Sequence, residues 1–202
     1  MKITTLLAAG AVALAMSACT DSSKLAGELE GSWSGAPERF TVNEAATATM
    51  TPIYTFELGQ DNKSGGDVTV AMMVSAIMPI NTPTDGVVLP FQVTVSAVGT
   101  VEGSWSVAGD DLTINLNMNT LNVNVNPDNV TTADDALTDQ TMSYWQTNRP
   151  AVAQRLENEI SSALSTRLLA MRSFEDVKIK NDVMEYKLMG AKMYMHRDGT
   201  IQ

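Results

Sequence analysis

Between Phe91 and Val107 the chain alternates apolar and polar residues. Phe91, Val93, Val95, Ala97, Val101, Trp105 and Val107 face one way, and Gln92, Thr94, Ser96, Thr100, Glu102, Ser104 and Ser106 the other. Successive side chains of extended backbone point to opposite sides, so a period of two marks a strand with one buried and one wetted face. A straight strand of this length would reach about 56 Å at roughly 3.3 Å per residue. It is therefore expected to bend or break, at Gly99 and Gly103 on the inward face.

The same period recurs on both sides of this segment. Met50, Tyr54, Phe56 and Leu58 oppose Thr49, Thr51, Thr55 and Glu57, and Val68, Val70, Met72, Val74, Ala76 and Met78 share the next face. The link from Gly59 to Asp67, with its Asp-Asn-Lys-Ser-Gly-Gly run, reads as a hairpin loop. Ala108-Gly109-Asp110-Asp111 turns the chain into Leu112, Ile114, Leu116 and Met118, after which the phase slips at Thr120 to Leu121, Val123 and Val125. A two-residue turn at Asn119-Thr120 would pair 118 with 121 and keep all six apolar side chains on one face. A bulge is the alternative, because β-branched Thr120 disfavours the positive φ of such a turn.

The alternation stops at Pro127 and a helical period takes over. Val152, Leu156, Ile160, Leu164, Leu168 and Met171 form one stripe, with Pro150 suited to the first turn and Asn148 to the cap. A weaker helical turn is expected between Ala133 and Trp145. After the helix, a turn at Asn181-Asp182 would pair Ile179 with Met184, Val177 with Tyr186, Lys178 with Glu185 and Asp176 with Lys187. A second turn, at Gly190-Ala191, would set Leu188 against Met193, Tyr186 against Met195 and His196 opposite Glu185. These strands form a meander from about Glu175 to Arg197.

The first eighteen residues carry one charge, Lys2, and an uncharged run from Ile3 to Met16 before Ser17, Ala18 and Cys19. The run falls short of the roughly 20 residues that span a bilayer as a helix, and no later stretch replaces it, so it reads as a secretion signal. Met16-Ser17-Ala18-Cys19 resembles the lipobox of bacterial lipoproteins. The resemblance implies that residues 1–18 are a signal peptide, that Cys19 is alkylated with diacylglycerol and acylated on its freed amine, and that residues 19–28 are a lipidated tether. The domain would then occupy residues 29–202. A lone cysteine suits this, since exported proteins otherwise pair theirs. In enterobacterial lipoproteins an Asp after the cysteine marks inner-membrane retention; Thr20 stands here, which implies the outer membrane. The formal charge of −10 argues against nucleic acid and anionic headgroups as partners, because both attract basic surfaces.

Leu29-Glu30-Gly31-Ser32-Trp33 is similar to the Gly-X-Trp opening of lipocalin-like proteins, in which the Trp closes one barrel end and packs on an Arg of a late strand. Here that Arg would be Arg197, in Tyr194-Met195-His196-Arg197. The chain resembles the lipocalin-like (calycin-type) lipoproteins of Gram-negative envelopes. The resemblance implies a mainly β fold: an antiparallel meander of about 8–10 strands closing into a barrel, with one amphipathic helix before the last three strands. A sheet this large could also pack as a sandwich. Three strands after the helix depart from the single closing strand of ordinary lipocalins, so a ligand cavity is not carried over. The echo of the opening in Val101-Glu102-Gly103-Ser104-Trp105-Ser106 reads as two similar strand starts, because the segments that follow do not match.

The residues for chemistry are sparse, and no enzyme or cofactor is expected. Hydrolytic triads need a base, and the one histidine, His196, sits in a strand. Met193, Met195 and His196 are close enough in sequence to suggest a soft-metal site, but His196 points away from the methionines, and flexible core filling is the better reading of the methionines. Asp110-Asp111 and Asp134-Asp135 stand in turn and cap contexts without a partner base. Two functions stay open. In one, a barrel interior lined by Met72, Val74, Phe91, Val93 and Trp105 holds a small apolar ligand. In the other, the barrel is filled by its own side chains and its surface meets another envelope protein.

Overall fold

The computed structural model describes residues 22–60, 63–84, 87–132 and 139–197. Residues 1–21, Cys19 among them, and Asp134-Asp135 lie outside them. A helix, α1, covers residues 22–29. It is followed by β1 (Gly31–Gly35), β2 (Glu38–Asn43), β3 (Ala46–Leu58), β4 (Gly65–Thr84), β5 (Val87–Ala108), β6 (Asp111–Leu116), β7 (Asn122–Asn124) and β8 (Val130–Thr132). A long helix, α2 (Asp139–Ala170), then precedes β9 (Ser173–Lys180), β10 (Val183–Leu188) and β11 (Ala191–Arg197).

All pairings are antiparallel, in the order β1-β11-β10-β9-β6-β5-β4-β3, and β1 pairs again with β3. That last pairing closes an eight-stranded barrel. The alternating apolar residues fill it: Tyr54, Phe56, Val70, Val101 and Ile114 are all buried. β3, β4 and β5 outrun the closed ring. Beyond β1, β3 continues beside β2, and beyond β6, β5 continues beside β7 and β8. This far half therefore ends in two strand edges, and α2 spans the gap between them, packing on β2, β4, β5 and β7. Its stripe from Val152 to Met171 is buried.

Polar side chains of α2 tie it to both edges. Val125 N–H donates to Glu157 Oε2 at 3.0 Å, and Arg149 Nη2 donates to the Val130 carbonyl at 3.2 Å. On the other side Arg167 Nη2 meets Glu38 Oε2 at 2.5 Å, and Asn43 Nδ2 donates to Glu159 Oε2 at 2.9 Å. Covering an edge this way protects it from pairing with another chain.

Several local expectations are corrected. β5 does not break; its neighbours do, from β6 to β7 to β8 along its length. Gly103 is needed because a Cβ there would lie 2.4 Å from the Asn115 carbonyl oxygen. β6 and β7 do not form a hairpin. They run end to end along β5, joined by a 3-10 turn at Met118–Thr120 that acts as the bulge. Thr120 Oγ1 accepts from Glu102 N–H at 2.9 Å and donates to the Asn117 carbonyl at 2.8 Å, filling the ladder where the strand leaves it. The phase slip keeps Leu112 and Ile114, then Val123 and Val125, inside.

The helix begins well before Pro150 and runs through it, so Asn148 is not its cap. Trp145 explains the extension: it lies two turns upstream of Val152, is buried, and packs edge-on against Phe91 at 6.0 Å. Pro150 removes the backbone donor that would serve the Gln146 carbonyl, and the Asn148 side chain, rather than capping the helix, donates Nδ2–H to the Tyr144 carbonyl. The segment expected as a tether is helical over residues 22–29, with Leu25, Ala26 and Leu29 buried against the barrel, so the fold starts upstream of Leu29.

In the meander, Asn181 and Asp182 adopt φ 52° and 61°, and Met184 stands opposite Ile179 and Glu185 opposite Lys178, as expected. Past that point a bulge at Asp176 (φ 54°) moves Lys187 opposite Glu175, although the Lys187 ammonium still pairs with the Asp176 carboxylate. The second turn is Met189-Gly190, one residue earlier than expected, because a two-residue turn with both φ positive favours Gly second. Leu188 thus faces Ala191, Tyr186 faces Met193, and His196 faces Val183 instead of Glu185. The register shifts by two residues, so every side chain keeps its expected face.

Candidate functional site

At the closed end, Trp33 and Arg197 are direct partners across β1 and β11. The Trp33 ring is fully buried, and the Arg197 guanidinium carbon lies 4.3 Å from its centroid. Trp33 Nε1–H donates to the Leu29 carbonyl at 2.7 Å. Arg197 donates to the Glu28 and Glu30 carbonyls at 2.7 and 2.6 Å, and its Nε lies 3.2 Å from Asp182 Oδ1. The last turn of a helix leaves carbonyls without intrahelical partners, and here a cation from the final strand takes them up. Gly31 has φ 111°, and a Cβ there would come within 2.9 Å of Arg197 Nη1, so the close approach requires glycine. This cluster joins the first and last of the described strands, and Trp33 and Arg197 supply neither a nucleophile nor a general base.

Met72, Val74, Phe91, Val93 and Trp105 all point inward and are buried. Their surroundings are other side chains. Trp105 meets Phe56 edge-on at 5.5 Å and donates its Nε1–H between the Glu57 and Asp67 carbonyls. From Phe56 a continuous aromatic row runs to Tyr54 at 6.1 Å, Phe174 at 5.9 Å and Tyr186 at 4.6 Å. The Tyr54 hydroxyl is buried without a hydrogen-bond partner among the described residues. Burial, and after it the neighbouring Tyr186 and Glu38, pushes Tyr54 ionisation far above the usual phenol range, and burial does the same to Tyr186.

The clefts lie at the surface. One of about 910 Å³ separates β2 from the flank of α2. A second, of about 350 Å³, sits on the outer face of β4 and β5, where exposed Met73 and Val98 stand opposite each other beside Asn124, Asn126 and Asn129. Of the five inward residues named above, only Val74 borders either one. The cleft beside β2 was not visible in the sequence, because it is made by the spacing of two elements distant in the chain. Its one local signal is the run of small residues Ser162, Ala163 and Thr166 on a helix flank.

Met195 is buried in the core, and no group of three His, Cys, Asp or Glu side chains able to hold a metal occurs among the described residues. Asp111 accepts the Asp176 N–H at 3.2 Å, so it braces the β9 bulge. Among the described residues no helix is long and apolar enough to cross a membrane. The class of protein is thus an eight-stranded closed antiparallel barrel of the general calycin kind, with extra strands and a covering helix. No family model matches the chain, and no curated protein matches it.

Proposed function

We propose that this chain is an outer-membrane lipoprotein, held by lipid on Cys19, whose barrel is filled by its own side chains and works through its outer surface by holding another envelope protein. The packed interior carries this reading: the inward faces of β3, β4, β5 and β9 are occupied by mutually packed aromatic and aliphatic groups. Met16-Ser17-Ala18-Cys19 supports the anchor. Two or three acyl chains suffice for stable attachment, and α1 packs on the barrel within a few residues of Cys19, which keeps the domain close to the membrane.

The test is native mass spectrometry of the protein purified from its own membrane, beside a Cys19→Ser form. A stoichiometric protein partner, with loss of the acylated mass and of detergent partitioning in the variant, is the expected result. A Cys19→Ser protein of unchanged mature mass that still partitions into detergent would refute the anchor.

A second reading is a small apolar ligand, favoured by one observation: the uncharged cleft at Met73 and Val98 has the volume of a small-molecule site. Co-purified lipid that is lost in Met73→Asp would select it over the protein partner.

A further inference from the structure

The outer face of the sheet, away from α2, is uncharged over a wide area. From Thr47 to Ile53 on β3, from Ala71 to Ile77 on β4 and from Thr94 to Thr100 on β5, every outward residue is Thr, Ser, Ala or a large apolar residue. On β7, Asn122 and Asn124 continue the pattern beside Thr100 and Val98. Charges resume at the border, with Arg39 on β2 and Glu102 on β5. An uncharged centre within a charged rim is how protein interfaces are composed. In a chain of formal charge −10, it is also where a second copy meets least repulsion.

The apolar residues on this face form a knob beside a hole. Met73, Ile77 and Val98 are each more than half exposed. Met73 and Val98 are cross-strand partners that line the cleft of about 350 Å³, while Ile77 stands outside it, two outward positions further along β4. Ser75, with its partner Ser96, lies midway. A two-fold axis lying in the face and passing over Ser75 and Ser96 reverses the strand direction between copies. It therefore sets Ile77 of each copy on Met73 of the other, the self-complementarity that an isologous contact needs. Four strands at about 4.8 Å and four outward positions at about 6.6 Å give a footprint of about 500 Å². Two copies together would bury about 1,000 Å², the lower bound of a specific interface.

We propose that two copies of this chain pair through the outer face of β3, β4 and β5, each seating Ile77 in the Met73–Val98 cleft of the other. This goes beyond the outer-surface reading above and does not rest on it, because the occupant is the chain itself. Where lipid on Cys19 holds both copies at one membrane surface, confinement raises their effective concentration, so a small contact suffices. The cleft, once filled by the other copy's Ile77, is closed to a small apolar ligand.

The experiment is sedimentation equilibrium of the full-length protein in density-matched detergent over a concentration series. The parent is expected to reach twice the protomer mass. Ile77→Lys and Met73→Glu, each alone, should raise the dissociation constant roughly tenfold or more, because each buries an unpaired charge in the contact. Combined in one chain they should restore the dimer, since the proposed axis then sets a cation on an anion. Both positions are exposed, and circular dichroism checks that the variants fold. Mild oxidation gives a second readout: Ser75→Cys should link two copies, whereas Ser106→Cys, on β5 outside the face, and the parent with Cys19 alone should not. A parent that keeps protomer mass throughout, a dimer indifferent to both single substitutions, no recovery on combining them, or equal linking at both cysteine positions would overturn the proposal. So would a protomer that carries lipid in the cleft. A different protein seated on this face would overturn it too, while leaving the outer-surface function standing.

Discussion

The guanidinium of Arg197, in the last strand, lies 4.3 Å from the centre of the Trp33 ring in the first, and the same guanidinium holds the carbonyls of Glu28 and Glu30. Trp33→Ala should cost about 3–5 kcal/mol, as other large buried truncations do. Arg197→Ala should cost less, about 1–3 kcal/mol, from a cation–π contact and hydrogen bonds to a charged group. Arg197→Lys should recover only part of this, because an ammonium cannot span two carbonyls and a ring face at once. Urea unfolding midpoints order the three; an Arg197→Ala protein as stable as the parent would show that the closure carries no energy.

The buried tyrosines make the fold sensitive to alkali. Tyr54 and Tyr186 are pushed up by burial in the folded chain, whereas the unfolded chain ionises them near pH 10. Folding therefore favours their protonated forms. Their contribution is fully present below about pH 10 and is lost as pH rises beyond it, by at most about 1.4 kcal/mol per pH unit for each tyrosine. Tyr54→Phe removes a hydroxyl that has no partner among the described residues, so at neutral pH it should be neutral or stabilising, and above about pH 10 it should flatten the decline. Denaturant titrations across that range measure both effects.

Two glycines on the inward face of β5 should respond differently to the same change. A Cβ at Gly103 would meet the Asn115 backbone at 2.4 Å, whereas one at Gly99 meets the flexible end of Met72 at 3.2 Å. Gly103→Ala should cost about 1–3 kcal/mol through displacement of β6. Gly99→Ala should cost less than about 1 kcal/mol, because methionine repacks easily. Thermal melts of the two variants distinguish them; equal losses would contradict the geometry.

The Lys187 hydrogen bond and charge hold the Asp176 carboxyl below its usual range, and Asp176 in turn raises the Lys187 ammonium. The ion pair's contribution is then present above the ordinary Asp range and falls as pH drops through the lowered value of Asp176. In Lys187→Met, the carboxyl carbon resonance of Asp176 should titrate at higher pH than in the parent. An unmoved titration would show that the pair is not formed in solution.

Side-chain faces were legible in the sequence, while partners and registers were less so. The period of two assigned the inward residues of β3, β4 and β5, and the stripe from Val152 to Met171 assigned the buried side of α2. Both are local consequences of backbone geometry. The second turn of the meander was misplaced because parity alone accepts a shift of two residues; Gly190 at the second turn position decides between them. The start of α2 was missed because Pro150 looks like a boundary, yet one lost backbone bond is outweighed by burying Trp145 on Phe91. Leu25, Ala26 and Leu29 are too few to show a period, so α1 was invisible until the barrel end that it covers was in place. Trp33 and Arg197 could be singled out as ends, but the carbonyls that Arg197 holds belong to that unseen helix.

The pairing of β1 with β11 also governs timing. A chain made from its N-terminus has no partner to close the ring against until its final strand is complete, and such distant pairings form slowly. The inward faces of β3, β4 and β5 in the closed half lack the strands β9–β11 that complete the ring until then, which is a liability in a crowded compartment. This topology withholds the finished barrel until Arg197 arrives.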